Sequence, residues 1–304
     1  MDKKKLNTMK RALSEMVEQV GSTSVEIYQR KRSYVQEYIT QGKVHFTHKW
    51  HDDFLEQDCE LTYPITEVIH DLHNELCLPL EHFLKAPNET LFRAILAKAY
   101  YLTAAYMRLH LSGEEQPESF NASDSCFAFL ASFFFGQEEQ KHSFFAFQNL
   151  LAQPNDCEQP QEMDAAHTLF PLSFLLAKEH LSLEADISQA SSFTFNDLYR
   201  TACAGFAEED KDKAQQIFSG LCDYHLKQCR SSNKAFPEFE HPIEQWMPWE
   251  ILALLRLRAL KGLDNSFIDH PLISPFIPFV GLEPQGFFDD EQKLLRRAVL
   301  QEFS

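Results

Sequence analysis

The sequence is poor in glycine, with only 9 among its 304 residues. Glycine supplies the backbone freedom that phosphate-binding loops and tight hairpin turns need, so this scarcity disfavours nucleotide loops, collagen-like repeats and β-hairpin folds. G-x-S-x-G, Walker and dinucleotide-binding motifs are also absent from the sequence. We therefore expect neither catalytic residues nor a bound cofactor.

The sequence also lacks export, disulfide and membrane signals. Its seven cysteines include no C-x-x-C pair, which predicts neither a disulfide scaffold nor a zinc knuckle and indicates a reducing compartment. The N-terminal lysines are not followed by the apolar run of a secretory signal. The most apolar stretch, 91–111, contains Arg93, Lys98, Arg108 and His110, which are costly in hydrocarbon. We expect a cytoplasmic protein without a membrane span.

Hydrophobic residues are plentiful, at 44% of the chain with 27 phenylalanines, and they recur at helical spacing. This pattern predicts an all-α fold of about 12–14 helices, stacked as antiparallel hairpins with no significant sheet. A Pro- and Asn-containing connector at 153–161 separates an N-terminal half, 1–152, from a C-terminal half, 161–304, and we expect the two to pack as one unit. Predicted helices cover about 3–19, 24–40, 65–76, 89–111, 124–135, 138–152, 163–190 with a break at Pro171, 197–206 after a capping box at 194–197, 210–230, 248–261, 269–280 and 289–302.

Negative charge dominates the sequence, with 45 acidic against 28 basic residues. Residues 51–90 have Lys85 as their only Lys or Arg, and residues 111–170 have only Lys141. Such acidic zones repel nucleic acid and attract a basic protein, although they are equally typical of an ordinary solubilising surface. The candidate partner-binding residues are Asp52, Asp53, Glu56, Asp58 and Glu60 in a first patch, and Glu114, Glu115, Glu138 and Glu139 in a second.

Two Glu-x-x-His motifs raise the hypothesis of a metal site. Glu67 with His70, and Glu139 with His142, match the pattern that holds di-iron centres in helical bundles. Such a site also needs a glutamate from each of two further helices. The predicted helix 89–111, which lies upstream of the second motif, has no carboxylate after Glu89. The histidines crowded into 45–82 follow no recognised ligand spacing either. We expect no resident metal.

The most distinctive sequence motifs lie in the C-terminal third of the chain. It comprises Tyr224-His225, the segment from Ile243 to Glu250 with its two tryptophans, Gly262-Leu263-Asp264, and Asp269-His270-Pro271-Leu272. These residues resemble the helical immunity proteins of bacterial polymorphic-toxin systems, namely the immunity 49 family and the PoNi type. The resemblance covers about the last 110 residues. It departs from the PoNi pattern in having His270-Pro271-Leu272 where that pattern has Tyr-Tyr-Pro.

The resemblance implies a non-enzymatic protein that binds a cognate toxin, such as a nuclease effector, and occludes its active site. In this interpretation the acidic patches contact the toxin, and the helix beginning at Trp249 is buried scaffold in which Glu250 needs a partner, for which an arginine is expected. Two alternatives remain: a helical scaffold that binds a peptide in a groove between hairpins, and a metal-dependent helical enzyme.

Overall fold

The computed structural model describes residues 3–113, 120–152, 169–183, 197–229, 239–283 and 288–301. In these residues the predicted all-α fold class is confirmed, with one two-stranded sheet added. The helices are α1 (Lys3–Glu18), α2 (Val25–Gln41), α3 (Ile65–Leu72), α4 (Cys77–Lys85), α5 (Glu89–Ser112), α6 (Ala122–Ser132), α7 (Gln137–Ala152), α8 (Leu169–Leu181), α9 (Asp197–Gly205), α10 (Lys211–Gln228), α11 (Pro242–Trp246), α12 (Trp249–Leu260) and α13 (Asp290–Gln301). A 3₁₀ turn, His73–Leu76, joins α3 to α4.

Helix α5 is the central element of the fold. It begins at the N-cap Asn88, whose side chain accepts a hydrogen bond from the Leu91 N–H at 3.0 Å, and it ends at Gly113 with φ of 62°. A left-handed residue at this position suits glycine, which has no Cβ to clash. Most of α5 is buried, and it contacts α3, α4, α6, α7 and α13.

Phenylalanine side chains form a large part of the core. Phe129, Phe134, Phe144 and Phe147 are buried, and the ring pairs Phe129–Phe144 and Phe144–Phe174 connect α6 to α7 and α7 to α8. Phe134 packs against Trp249 of α12 with ring centroids 6.1 Å apart. Such ring pairs add to the stabilisation that comes from burying apolar area.

Two predictions for the C-terminal part are wrong. The segment 269–280 forms turns and a short 3₁₀ helix, Ile277–Phe279, because Pro271, Pro275 and Pro278 remove backbone donors that a helix needs. The short helix α11 lies between the predicted helices 210–230 and 248–261, where no helix was predicted. The connector at 153–161 and the capping box at 194–197 involve residues outside those that the structure describes.

The sheet is the main departure from the predicted architecture. Strands β1 (His45–Asp52) and β2 (Gln57–Pro64) pair antiparallel, with Phe46 opposite Tyr63 and Asp52 opposite Gln57. The base of this hairpin is fixed to the core, because Phe46 is buried and stacks on Tyr34 at 4.5 Å. The scarcity of glycine did not prevent the turn, since a glutamate, Glu56, takes the left-handed conformation with φ of 51°.

Helices from the two predicted halves contact one another: α1 contacts α11, α5 contacts α13, and α6 contacts α8 and α12. The division into halves stays a prediction.

Candidate functional site

One face of the β1–β2 hairpin carries a ladder of paired polar side chains. The Thr47 and Thr62 hydroxyls lie 2.9 Å apart, and Lys49 Nζ lies 2.9 Å from Glu60 Oε2. Nearer the tip, His51 Nδ1 lies 2.9 Å from Asp58 Oδ1. Each pair occupies directly opposed positions in the strand register. Side chains on this face therefore satisfy one another.

The opposite face and the tip of the hairpin are apolar and exposed. Trp50 stacks on His48 with ring centroids 5.5 Å apart, and Leu61 is exposed on the same face. At the tip, Phe54 is 93% exposed and Leu55 55% exposed. Of the seven large apolar side chains exposed in the described ranges, these four lie in the hairpin. An exposed apolar cluster of this kind is typical of interaction surfaces.

The tip is held in shape by its first acidic residue. Asp52 Oδ1 accepts hydrogen bonds from the backbone N–H groups of Phe54 and Leu55, at 2.9 and 3.0 Å. This Asx-type turn satisfies two donors and fixes the backbone that carries the exposed apolar pair. The carboxylate of Asp52 thus has a structural use as well as a charge.

All five residues of the first predicted patch lie together in this hairpin, at the ends of the strands and in the turn between them. Asp52 caps the turn, Asp58 contacts His51 and Glu60 contacts Lys49. Asp53 and Glu56 are exposed at the tip, and within the described residues neither has an ion-pair partner. The charge open to a partner is therefore concentrated beside Phe54 and Leu55.

One residue of the second predicted patch, Glu139, does not lie at the surface. Glu138 is exposed and lies 3.3 Å from His142 Nε2, whereas Glu139 is buried and ion-paired with Arg296 of α13. Glu139 cannot contact a partner at the surface, because α7 turns this carboxylate into the interior. Glu114 and Glu115 lie outside the described residues.

A second candidate site is a pocket of about 200 Å³, partly open to solvent, between α3, α5, α6, α11 and α12. Its polar lining comes from His70 and His73, from Asp124 at the start of α6, and from His241 and Glu244 at the start of α11. Apolar lining comes from Leu102, Phe127, Ile243 and Trp249. This pocket is called the histidine–carboxylate pocket below.

Charge is shared unequally among the groups of the histidine–carboxylate pocket. Burial lowers the pKa of His70, but Asp124, whose Oδ2 lies 3.5 Å from His70 Nε2, and Asp71 together raise it to about 9. Burial and the cationic His70 lower the pKa of His73 to about 3. Burial also lowers the pKa of His241. At neutral pH the pocket therefore holds one imidazolium and two neutral imidazoles.

Glu244 is the other unusual group of the pocket. Burial, with repulsion from Asp124, raises the pKa of Glu244 to about 8. Its Oε2 accepts a hydrogen bond from the backbone N–H of His241 at 3.2 Å, which caps α11. At neutral pH Glu244 is therefore mostly protonated.

The prediction that an arginine neutralises Glu250 is wrong. Glu250 and His225 are both fully buried, and His225 Nδ1 lies 2.7 Å from Glu250 Oε1. The arginines of the same helix, Arg256 and Arg258, instead donate to backbone carbonyls at residues 280 and 282 and at 206 and 208. The two arginines hold the loops at 280–282 and 206–208 in place, while His225 of α10 neutralises Glu250.

Neither Glu-x-x-His motif forms a metal centre in the structure. Glu139 is ion-paired with Arg296, and Glu37, a glutamate of α2 upstream of the first motif, contacts Lys43 at 2.7 Å. Within the described residues, no three or more histidine, cysteine or carboxylate side chains lie together in a way that could hold a metal ion.

Sequence reasoning missed two sets of residues. The hairpin was signalled by the period-two alternation of His45–Trp50 and Asp58–Tyr63, and Trp50, Phe54, Leu55 and Leu61 belong to it. Asp124, His241 and Glu244 carry no such signal, because they come from separate segments that only the packing of helices brings together.

The comparisons with known proteins give no relative. No family model, curated protein or solved structure matches this chain. Among the helices that the structure describes, none has the length and apolar character needed to cross a bilayer.

Proposed function

We propose that this protein is an immunity protein that binds a cognate toxin through the β1–β2 hairpin and thereby blocks the toxin's active site. The observation that carries the proposal is the exposed apolar tip, Phe54 and Leu55, with the unpaired carboxylates Asp53 and Glu56 beside it. The resemblance of the C-terminal third to helical immunity proteins supports the same function.

The chemistry of the tip favours a basic partner with an apolar cleft. Phenylalanine and leucine side chains that enter a pocket lose water contact and supply binding energy as anchors. Carboxylates around such anchors accelerate the encounter with a positively charged surface and disfavour neutral or acidic ones. A nuclease has a basic substrate groove, and the hairpin carboxylates would take the place of phosphates there.

We propose that the protein acts in the cytoplasm. Every cysteine in the described ranges is a free thiol, including Cys77, Cys126 and Cys222 in the core, which suits a reducing compartment.

The experiment uses the full chain and the product of the neighbouring gene as the candidate toxin. Phe54→Ala combined with Leu55→Ala is expected to weaken binding by about 100-fold, mainly through faster dissociation, and to abolish protection of cells that express the toxin. Leu260→Ala is the matched control, because Leu260 is an exposed leucine on α12.

A second double variant separates charge from apolar contact. Asp53→Asn with Glu56→Gln is expected to slow association and reduce its salt dependence, with little change in dissociation. If both double variants keep wild-type kinetics and protection, the hairpin is not the interface and the proposal is wrong.

The groove-binding alternative has one observation in its favour. An apolar cavity of about 410 Å³ lies between α1, α4 and the turn at 271–275, and Leu13 and Leu84 are among its lining residues. Leu13→Trp would fill this cavity. Loss of partner binding in Leu13→Trp, with full binding in the hairpin variants, would support a peptide-binding scaffold instead.

A further inference from the structure

The histidine–carboxylate pocket has one carboxylate that no basic side chain neutralises. Of the two carboxylates that line the pocket, Asp124 lies 3.5 Å from the His70 imidazole. Glu244, by contrast, accepts a hydrogen bond from the backbone N–H of His241 and has no basic side chain within ion-pair distance in the described residues. A part-buried carboxylate without a counter-ion favours either its protonated form or a bound cation.

The positive charge of the His70 imidazolium is offset by Asp124, and other groups in the pocket offer an acceptor and aromatic walls to a ligand with N–H donors. His73 Nδ1 is buried and has no hydrogen-bond partner among the described residues, so its ring can accept a donor. Phe127 and Trp249 line the same space. Aromatic rings attract ammonium groups, and tryptophan does so most strongly.

We propose that the histidine–carboxylate pocket binds a small organic cation carrying a primary ammonium group, with Glu244 as its counter-ion and Phe127 and Trp249 as its apolar walls. The inference concerns a site separate from the hairpin and does not depend on the proposed immunity function.

Size limits the ligand. The pocket volume of about 200 Å³ lies below the range of drug-sized ligand sites. It suits a short alkylamine or the terminal amine of a small metabolite, and excludes nucleotides. Transition-metal ions are disfavoured because the donor atoms of the described residues do not converge.

Binding of an ammonium ion in this pocket should release a proton from Glu244. Because burial and Asp124 raise the pKa of Glu244 to about 8, an ammonium ion that binds at pH 7 must displace a proton from this carboxyl. The titratable and charged groups that face Glu244 are Asp124 on α6, His225 on α10, His70 and His73 on and after α3, and Glu240 and His241 before α11. Of these, Asp124 and Glu240 hold the Glu244 pKa up, while His225 lowers it.

The test measures binding of butylammonium chloride to the full chain by ligand-observed NMR and calorimetry. Butan-1-ol, a neutral molecule of almost the same shape, is the matched probe. We expect saturable binding of butylammonium, at least about 10-fold tighter than that of butan-1-ol, since only the cation pairs with Glu244. In weakly buffered solution at pH 7, binding should release close to one proton per site.

Glu244→Gln removes the ionisable carboxyl but keeps an oxygen that can accept the His241 N–H, so the cap of α11 is retained. This variant should bind butylammonium at least about 10-fold more weakly and release no proton. Glu209→Gln, which removes a carboxylate from an exposed turn, is the matched control and should behave as wild type.

Three results would overturn the proposal: no saturable butylammonium binding to the wild-type chain, equal affinity for butan-1-ol, or binding without proton release. The first measurement needs only the wild-type protein, so a folding defect in Glu244→Gln would leave it decisive. Binding of Zn²⁺ alone, with none of butylammonium, would also overturn it and assign the pocket to a metal. Loss of toxin binding in the hairpin variants has no bearing on any of these outcomes.

Discussion

Individual buried charges in this protein are neutralised by residues distant in sequence. Glu75, 2% exposed, lies 2.8 Å from Lys98 and is also paired with Arg32. Glu139 pairs with Arg296. A buried carboxylate loses the stabilisation that water gives it, so removal of its partner leaves an expensive uncompensated charge. These pairs make specific side chains indispensable to the folded state.

Arg296→Met should lower the free energy of unfolding by about 3–5 kcal/mol, because it leaves Glu139 buried without a counter-ion. Urea unfolding monitored by circular dichroism measures the change. Arg297→Met, the adjacent and exposed arginine of α13, should change it by less than about 0.5 kcal/mol. Equal effects of the two substitutions would show that the Glu139–Arg296 pair does not stabilise the fold.

The His225–Glu250 pair predicts a pH dependence of stability. Burial lowers the pKa of His225, but Glu250 outweighs burial and raises it to about 10. A raised histidine pKa contributes stability that is complete below the unfolded-state value, about 6.5, and is lost as the pH rises through the folded-state value. The contribution should therefore fall between about pH 6.5 and pH 10.

His225→Gln should be less stable than the wild type at pH 6.5, and the difference between the two proteins should narrow as the pH approaches 10. Urea unfolding at several pH values measures it, with His48→Gln on the exposed hairpin as the control. A difference that stays constant or widens with pH would contradict the assignment of charge to this pair.

At the scale of elements, the hairpin combines a rigid base with an accessible tip. Its base is held by Phe46 in the core and by the hydrogen bond from Ile65 N to Val44 O, 2.9 Å long. Its tip depends on the Asp52 cap and on the left-handed Glu56. An isolated two-stranded hairpin is marginally stable in water, so attachment to the helical core is what keeps the tip in one shape.

Glu56→Gly should stabilise the hairpin by up to about 1 kcal/mol, since glycine adopts positive φ without steric cost. Hydrogen exchange of the β1 and β2 amides reports this local stability. Gln57→Gly, at the first residue of β2, is the control and should accelerate exchange, because glycine weakens a strand. Faster exchange in Glu56→Gly would mean that the turn does not rely on the left-handed conformation.

At the scale of the whole molecule, the net charge of −17 sets the response to salt. Many acidic side chains lie on the surface, and their mutual repulsion opposes the compact state. Ion pairs such as Lys49–Glu60 and Arg11–Glu15 are largely exposed and contribute little against this repulsion.

Raising the ionic strength from about 0.01 M to about 0.15 M shortens the Debye length from about 30 Å to about 8 Å. The free energy of unfolding should therefore rise with added sodium chloride, as measured by urea unfolding at pH 7. Asp53→Lys, at the exposed hairpin tip, should reduce the size of the increase. A protein that loses stability with salt would instead depend on its surface ion pairs.

The local sequence pattern was enough to predict the helical class and most helix positions. Apolar spacing and end signals such as Asn88 and Gly42 act within a few residues, so they are legible without tertiary structure. The five acidic residues of the first predicted patch lie close together because they are near one another in sequence, in and beside one turn. Their role in partner binding stays a prediction. Glycine content misled the prediction at that turn, since Glu56 takes a conformation that composition does not report.

Which charged side chains face water depends on tertiary packing. Glu138 and Glu139 are neighbours in sequence, yet one is exposed and the other is buried against α13. Likewise, Asp124, His241 and Glu244 form one pocket although more than a hundred residues separate the first from the others. Burial and long-range pairing depend on how helices pack, and the free energy of a charged group depends on that environment rather than on its neighbours along the chain.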